Sequence, residues 1–127
     1  MELITFACVD SIAEASALAQ LHPDIINPEP TELIGSGKAS DLSYVIEVTK
    51  TIKNIDSNIL VEQAAGITTG QQVYDFICAG SDGAGAGSGI FLSKDPYSTA
   101  CCKTEAQGVF QRKLINWLLL IWRVQER

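Results

Sequence analysis

Short apolar runs of strand length alternate with stretches of helix length, and this alternation restricts the possible folds more than any other sequence feature. The first run, 3–9, is rich in β-branched residues, and the alanine-rich stretch 12–21 after it ends before His22-Pro23. Further strands are predicted at 24–27, 58–62 and 83–90, with helices at 42–54 and 69–79. Strands separated by such helices pair in parallel through right-handed crossovers. The sequence therefore predicts an α/β fold.

The composition fits one domain with a single core, because the 127 residues are 46% hydrophobic. The net charge of −6 argues against nucleic acids and anionic membranes as partners, since both attract basic surfaces. The start lacks the basic segment of a secretory signal, and no stretch has the roughly 18 apolar residues of a spanning helix. We therefore expect a cytoplasmic protein. The four cysteines suit neither a disulfide framework nor a metal site and are expected to be free thiols: Cys8, Cys78, Cys101 and Cys102.

Glycines and polar residues cluster after the second, third and fourth predicted strands. Parallel α/β proteins place their sites at the carboxyl ends of strands, so these clusters mark the expected functional edge of the sheet. Four βα units form either a small open sheet or half of a closed eight-stranded barrel. The alternation alone leaves both architectures open. The only histidine, His22, precedes the second strand at the opposite edge and is expected to be a solvated turn residue.

Three segments together resemble the triosephosphate isomerase family, particularly its short archaeal form. Segment 23–38, PDIINPEPTELIGSGK, resembles strand six and the mobile loop six of the family. Segment 64–70, AAGITTG, resembles loop seven, and segment 83–96, which includes GSGI and KDP, resembles strand and loop eight. The opening run 3–9 then resembles strand five. Because three motifs agree in order and spacing, the resemblance is specific, and it covers residues 1–100.

The resemblance implies that residues 1–100 form a parallel (βα)4 half of a TIM (β/α)8 barrel. Residues 101–127 are then a separate C-terminal segment outside the resemblance. The implied reaction is a glycolytic one, the interconversion of dihydroxyacetone phosphate and glyceraldehyde 3-phosphate. It needs no cofactor and no metal, and its ligand is a small phosphorylated triose or a phosphate ion.

Glu29 is the candidate catalytic base. A carboxylate held at a strand end between two prolines, just before a long loop with Gly35 and Gly37, suits a general base under a closing loop. An isolated Glu-Pro would instead indicate an ordinary surface turn. The resemblance implies that Glu29 moves a proton between two carbons of the triose phosphate. Pro28 departs from the apolar residue that the family has there, and a proline cannot donate a ladder hydrogen bond.

Small residues in the three loops allow the backbone to approach an anion closely. The resemblance implies that these residues hold the substrate phosphate: Gly35, Ser36, Gly37, Ala65, Gly66, Ser88 and Gly89. The alternative for segment 83–89 is a tightly packed strand that needs small side chains and has no role in binding.

The resemblance also implies a catalytic lysine and a catalytic histidine, and both belong to the half of the barrel that it does not cover. Each such group commonly stabilises the transition state by about 3 kcal/mol or more. We therefore expect this chain alone to be inactive or very weak as an isomerase. The alternative is a non-catalytic half-barrel that binds phosphate or associates with itself.

An apolar stripe at helical spacing follows the region of resemblance: Phe110, Leu114, Trp117, Leu118, Ile121 and Trp122. It predicts an amphipathic helix that covers the sheet face left open by half a barrel, within the chain or across a two-fold axis, and hence a homodimer or higher oligomer. A membrane-surface or partner-binding helix, or a non-native tail, are alternatives. Depending on which alternation faces inward, the candidates for exposure on that face are Ile4, Phe6, Ile26 and Leu60.

Overall fold

The computed structural model describes residues 3–108, which form a four-stranded parallel sheet in the order β1-β2-β3-β4 with helices between the strands. The strands are β1 Phe6–Val9, β2 Ile25–Pro28, β3 Leu60–Gln63 and β4 Gly83–Ala84. The helices are α1 Ile12–Ala19, α2 Leu42–Ile55, α3 Gly70–Cys78, α4 Ser88–Phe91 and α5 Pro96–Gly108, with a 3-10 helix at Thr31–Leu33. The predicted α/β class and parallel (βα)4 arrangement are confirmed, and the sheet is consistent with half of an eight-stranded barrel.

Local capping signals fix the ends of the helices close to the predicted positions. The Ser11 hydroxyl accepts a hydrogen bond from the Glu14 N–H and caps α1. Thr69 and Gln72 form a reciprocal capping box at the start of α3. Gly80 follows α3 with a φ of +108°, a conformation that favours glycine at a helix end. The helices therefore begin and end for reasons that the sequence contains.

The register of the strands determines which side chains face the helices. Ile26 lies beside Val61 in the parallel ladder and is fully buried, packed with residues of α1 and α2. Phe6, Ile25 and Leu60 form the next row, which faces the other side of the sheet. Of the four candidates for exposure, Ile4 and Phe6 are exposed by 54% and 43%, and Leu60 is half-buried. Ile26 is not exposed, because its alternation faces the helices.

The fourth strand is much shorter than predicted, which corrects the strand expected at 83–90. Only Gly83–Ala84 is a strand, although the Gly85 N–H still donates to the Gln63 carbonyl at 2.8 Å. The chain then turns at Gly87, and Ser88–Phe91 forms the short helix α4. Glycine and alanine have little strand propensity, so nothing in this segment extends the ladder beyond the reach of β3.

The buried apolar side chains form two separate clusters. The N-terminal cluster lies between β1–β3 and helices α1 and α2: Val9, Ala15, Ala19, Ile26, Val48, Ile52, Ile59 and Val61. The C-terminal cluster lies around β4 and α3: Val45, Ile67, Val73, Phe76 and Ala84.

Buried polar side chains lie where these two clusters meet, and we call Thr49, Gln63 and Ser81 the polar seam. Gln63 follows Val61 on the same face of β3 and lies beside Ala84 in the ladder, so it joins one cluster to the other. Among the residues described, the side-chain polar atoms of all three have no hydrogen-bond partner. The core is therefore divided at β3 rather than continuous.

The predicted apolar stripe from Phe110 to Trp122 lies outside the described residues. Within residues 3–108, no helix combines the length and the apolar character needed to cross a lipid bilayer. The four cysteines are free thiols, as expected.

Candidate functional site

A cavity of about 190 Å³ lies at the carboxyl ends of β2, β3 and β4. It brings together residues from three separate loops: Glu29, Ile34, Gly35, Ala65, Ile67, Gly85, Ala86, Gly87, Ser88 and Gly89. Five of the eight predicted site residues are in this lining: Glu29, Gly35, Ala65, Ser88 and Gly89. Ser36, Gly37 and Gly66 lie in the same loops but do not line the cavity. Ile34, Ile67 and the segment 85–87 line it without having been predicted.

Both neighbouring strands hold the backbone at Glu29. The Glu29 N–H donates to the Val9 carbonyl of β1 at 2.8 Å. On the other side, the Pro28 carbonyl accepts a hydrogen bond from the Ala64 N–H at 3.2 Å. The ladder between β2 and β3 ends before Pro28, which has no N–H to donate. The fully buried Pro28 thus fits the strand without an unsatisfied donor and delivers Glu29 to the cavity.

Asp10 fixes the chain just after Glu29, a contact that the sequence analysis did not predict. The Asp10 carboxylate accepts a hydrogen bond from the Thr31 N–H, and this bond holds the pKa of Asp10 below its usual value. The Asp10 N–H in turn donates to the Glu14 carboxylate at 2.7 Å. The loop after β1 therefore restrains the loop that carries Glu29. The sequence feature that could have indicated this contact is the position of Asp10, an acidic residue between a strand and the N-cap of a helix.

The turn at 33–38 is closed by its own side chain, which explains why Ser36 does not reach the cavity. The Ser36 hydroxyl donates to the Leu33 carbonyl at 2.8 Å and accepts from the Lys38 N–H at 3.0 Å. Gly35 and Gly37 have φ values of +70° and +71°, in the left-handed region. In this conformation Gly35 lines the cavity, and the Ser36 hydroxyl is engaged within the turn.

The loop after β3 approaches that turn so closely that one position excludes any side chain. A Cβ on Gly66 would overlap the Lys38 carbonyl oxygen, and Gly66 has a φ of +68°. Ala65, which lines the cavity, is buried with a φ of +69°, a conformation that costs an alanine about 1 kcal/mol or more. Gly66 thus acts as a packing residue between loops, whereas Ala65 is the strained residue that faces the cavity.

The first turn of α4 packs against the loop after β3 in a similar way. A Cβ on Gly89 would overlap the Ile67 carbonyl oxygen. Lys103 on α5 joins the same two segments, because its Nζ donates to the Ile67 carbonyl at 3.3 Å and to the Gly89 carbonyl at 3.2 Å. The Lys103 side chain is buried, and this burial lowers the pKa of its ammonium group. No sequence motif pointed to Lys103.

A second carboxyl group lies beside the cavity wall. Glu62 points from β3 toward Gly85, and its Oε1 would be 2.6 Å from a Cβ at that position. Burial raises the pKa of Glu62, and the negative charge of Glu29 raises it further. Glu62 is therefore more inclined to hold a proton than an exposed glutamate would be.

The described part of the chain has no group of metal ligands, and its histidine lies away from the cavity. Across residues 3–108, no three histidine, cysteine or acidic side chains are grouped as metal ligands. The exposed His22 lies 2.7 Å from the Asp56 carboxylate, measured from Nδ1 to Oδ2. It precedes β2 at the edge opposite the cavity, in the turn position expected for it.

Comparisons with known proteins match the same region of the sequence. The family model described as triosephosphate isomerase matches residues 2–100. The triosephosphate isomerase of Methanobacterium bryantii is 39% identical over 97 residues, covering 74% of this chain and 43% of that protein. That of Sulfurisphaera tokodaii is 38% identical over 96 residues, covering 74% of this chain and 42% of that protein. The chain thus spans less than half the length of these curated relatives.

Solved structures share the fold at low sequence identity. A chain of the Amycolatopsis orientalis BexX/CysO complex superposes with a TM-score of 0.67 at 18% identity, covering 86% of this chain and 42% of that chain. Nitroalkane oxidase from Streptomyces ansochromogenes gives a TM-score of 0.52 at 23% identity, covering 70% of this chain and 28% of that chain. At these identities the likeness concerns the fold alone.

Proposed function

The chain belongs to the triosephosphate isomerase family, and from this premise we propose that it supplies the base and the phosphate site of an isomerase acting on a phosphorylated triose. Glu29 moves a proton between two carbons of the substrate, and small residues of the three loops hold its phosphate. The observation that supports this proposal is that Glu29, Gly35, Ala65, Ser88 and Gly89 line one and the same cavity. In one cavity, the base and the backbone groups that approach the phosphate then act on the same small molecule.

We propose that catalysis requires a second half-barrel. The groups that would polarise the substrate carbonyl are not in the cavity lining, where Glu29 is the only ionisable side chain among the described residues. Proton abstraction next to a carbonyl creates an oxyanion, and its stabilisation is usually the largest catalytic contribution. The isolated chain therefore has at most trace isomerase activity, and a complementing N-terminal half restores it. The acidic composition and the chemistry fit a cytoplasmic enzyme.

A second candidate function is self-association without catalysis, and the exposed apolar residues at the free edge of β1 favour it. Leu3 is 75% exposed, and Ile4 and Phe6 are also largely exposed. A free edge strand flanked by apolar side chains is an association surface. We propose that this surface is covered by a second copy or by the segment 109–127, in a homodimer or higher oligomer.

Truncation tests the role of the C-terminal segment in this assembly. Removing residues 109–127 leaves α5 intact and deletes the apolar stripe. We expect the shortened chain to aggregate or to change its oligomeric state in sedimentation. A soluble species with the same mass distribution as the full chain, corrected for the deletion, would contradict a covering role for this segment.

An isomerase assay of the purified full chain, with and without an added N-terminal half-barrel, tests the catalytic proposal. We expect rescue by the added half and its loss in Glu29→Gln, with phosphate binding retained or strengthened because a negative charge is removed from the cavity lining. Glu32→Gln, an exposed glutamate on the 3-10 helix, is the matched control and should keep the rescued activity. Rescue that survives Glu29→Gln would assign the base to another residue.

Phosphate titration followed by NMR tests the binding site independently of catalysis. We expect millimolar affinity, about −4 kcal/mol, with shifts at Gly35 and at Ser88-Gly89. Shifts confined to residues away from the cavity, or no shifts at high phosphate, would contradict the proposal.

A further inference from the structure

Lys103 is an unusual residue for the interior of this protein. It is only 5% exposed, and its ammonium group has two backbone carbonyl oxygens as hydrogen-bond partners. Burial of an ammonium group costs free energy unless it is compensated by hydrogen bonds and an opposite charge. An apolar side chain at this position would be buried without this cost. A charge at this position therefore needs an explanation other than packing.

The position of the Lys103 ammonium group relative to the cavity explains why a charge is buried there. Its two partners, the carbonyl oxygens of Ile67 and Gly89, belong to residues that line the cavity. The positive charge therefore lies directly behind the cavity wall, separated from the cavity by these two residues. It also bridges the loop after β3 and the first turn of α4, which are already in close contact at Gly89.

The cavity needs such a charge if it is to hold a phosphate dianion. Its own ionisable lining residue is Glu29, and Glu62 lies beside the wall at Gly85. A carboxylate near the cavity repels a dianion, and glycine and alanine supply backbone groups but no compensating charge. A buried cation acts through a low-dielectric wall, so its attraction is screened less than that of a surface lysine.

We infer that Lys103 is a positioning residue that gives this cavity its selectivity for dianions, by bridging the two wall segments and placing a positive charge behind them. The inference rests on the proposed function, because it takes the cavity as the phosphate site. Lys103 lies beyond residues 2–100, the part of the chain that the family model matches. The charge is carried by α5, Pro96–Gly108, the C-terminal helix of the described residues.

Phosphate titrations of the full chain at pH 8 test this role with three substitutions. Lys103→Met keeps an unbranched side chain without charge, and Lys103→Gln keeps an N–H donor without charge. Lys50→Met, at an exposed position on α2, makes the same change in net charge away from the cavity. We expect both Lys103 variants to bind phosphate about tenfold more weakly than the unmodified chain and Lys50→Met to bind it equally well.

Perchlorate provides a readout that a purely structural role would not change, because it is tetrahedral like phosphate but carries one charge. Since the attraction scales with ligand charge, a tenfold loss for phosphate dianion corresponds to about a threefold loss for perchlorate. Lys103→Met should therefore reduce the ratio of phosphate affinity to perchlorate affinity. Thermal unfolding of each variant checks that it remains folded at the temperature of the titrations, so that a loss of affinity is not caused by unfolding.

Three outcomes would overturn the inference, and they are distinguishable from one another. Unchanged phosphate affinity in Lys103→Met and Lys103→Gln removes the role of Lys103 and leaves the proposed function intact. Equal losses for phosphate and perchlorate in variants that remain folded assign Lys103 a structural role only. If the unmodified chain binds no phosphate at all, both the proposed function and the inference fail.

Discussion

The Lys53 ammonium on α2 lies 2.7 Å from the Asp82 carboxylate, just before β4. The same carboxylate accepts a hydrogen bond from the Val61 N–H at 2.8 Å, and Lys53 also donates to the Ile59 carbonyl at 2.7 Å. This network joins one helix to two strands at the edge of the sheet opposite the cavity. It stabilises the sheet and takes no part in the proposed chemistry.

Asp82→Ala is expected to lower the free energy of unfolding by about 2 kcal/mol, because a charged acceptor shared by Lys53 and Val61 is lost. Urea denaturation of the full chain measures the change. Glu47→Ala, which removes an exposed carboxylate from α2, is the control. Equal effects of the two substitutions would show that the network adds nothing beyond one surface charge.

Gly66→Ala and Gly37→Ala form a matched pair, because both glycines have φ values near +70° but only one is crowded. Gly37 has open space around its Cβ position, so Gly37→Ala should cost only about 1 kcal/mol of backbone strain. Gly66→Ala also meets the Lys38 carbonyl and should cost about 3 kcal/mol or more, with loss of phosphate binding. Denaturation and phosphate titration measure both effects. Similar costs for the two variants would contradict the close packing of these loops.

Glu62→Gln should stabilise the protein at neutral pH. The pKa of Glu62 is raised above its usual value of 4.5 by burial, with the Glu29 charge adding to the shift. Between the unfolded and the folded pKa the native state binds more protons. The contribution of Glu62 to stability is therefore complete below 4.5 and is lost as the pH rises through the folded pKa. Gln carries no charge and avoids this loss.

The measurement for Glu62 is the difference in unfolding free energy between Glu62→Gln and the unmodified chain, taken at several pH values from 4 to 8. This difference should increase in favour of the variant as the pH rises. Glu47→Gln removes an exposed carboxyl group of the same type and is the control. A difference for Glu62→Gln that stays constant with pH would show that its carboxyl group is not buried in the folded protein.

Thr69→Ala should destabilise α3 by about 1 kcal/mol, since the Thr69 hydroxyl accepts the Gln72 N–H at 3.2 Å within the capping box. Thr69→Ser keeps this acceptor and should retain most of the stability. Thermal unfolding of both variants measures the effect. If the serine variant loses as much stability as the alanine variant, the threonine acts through its methyl group and not through the cap.

Most of the fold could be predicted because its signals are local. The caps at Ser11 and Thr69 and the glycine at position 80 are properties of a few neighbouring residues. The length of β4 could not be predicted, because it depends on how far β3 extends as a pairing partner. The sequence also did not determine which face of the sheet Ile26 occupies. Either set of alternating residues in an apolar strand could face the helices.

The residues of the candidate site could be predicted where they belong to one of the three sequence motifs. Glu29 and the loop residues Gly35, Ala65 and Ser88-Gly89 follow from the three segments, and the cavity includes them. Ser36 does not line the cavity, because its hydroxyl closes the local turn. Lys103 and Asp10 were missed because their roles depend on contacts with residues 14 to 36 and 21 positions away, respectively.

The polar seam gives the molecule a preferred place to open. The buried apolar side chains form two clusters, and buried polar side chains such as Gln63 lie between them, so we expect the two parts to be separate units of local unfolding. Glu29 follows β2 in the first unit, whereas Gly89 and Lys103 belong to the second. We expect a fluctuation along the seam to move the proposed base away from the proposed phosphate site. Ligand that bridges the two would close the seam and slow amide exchange in both units together.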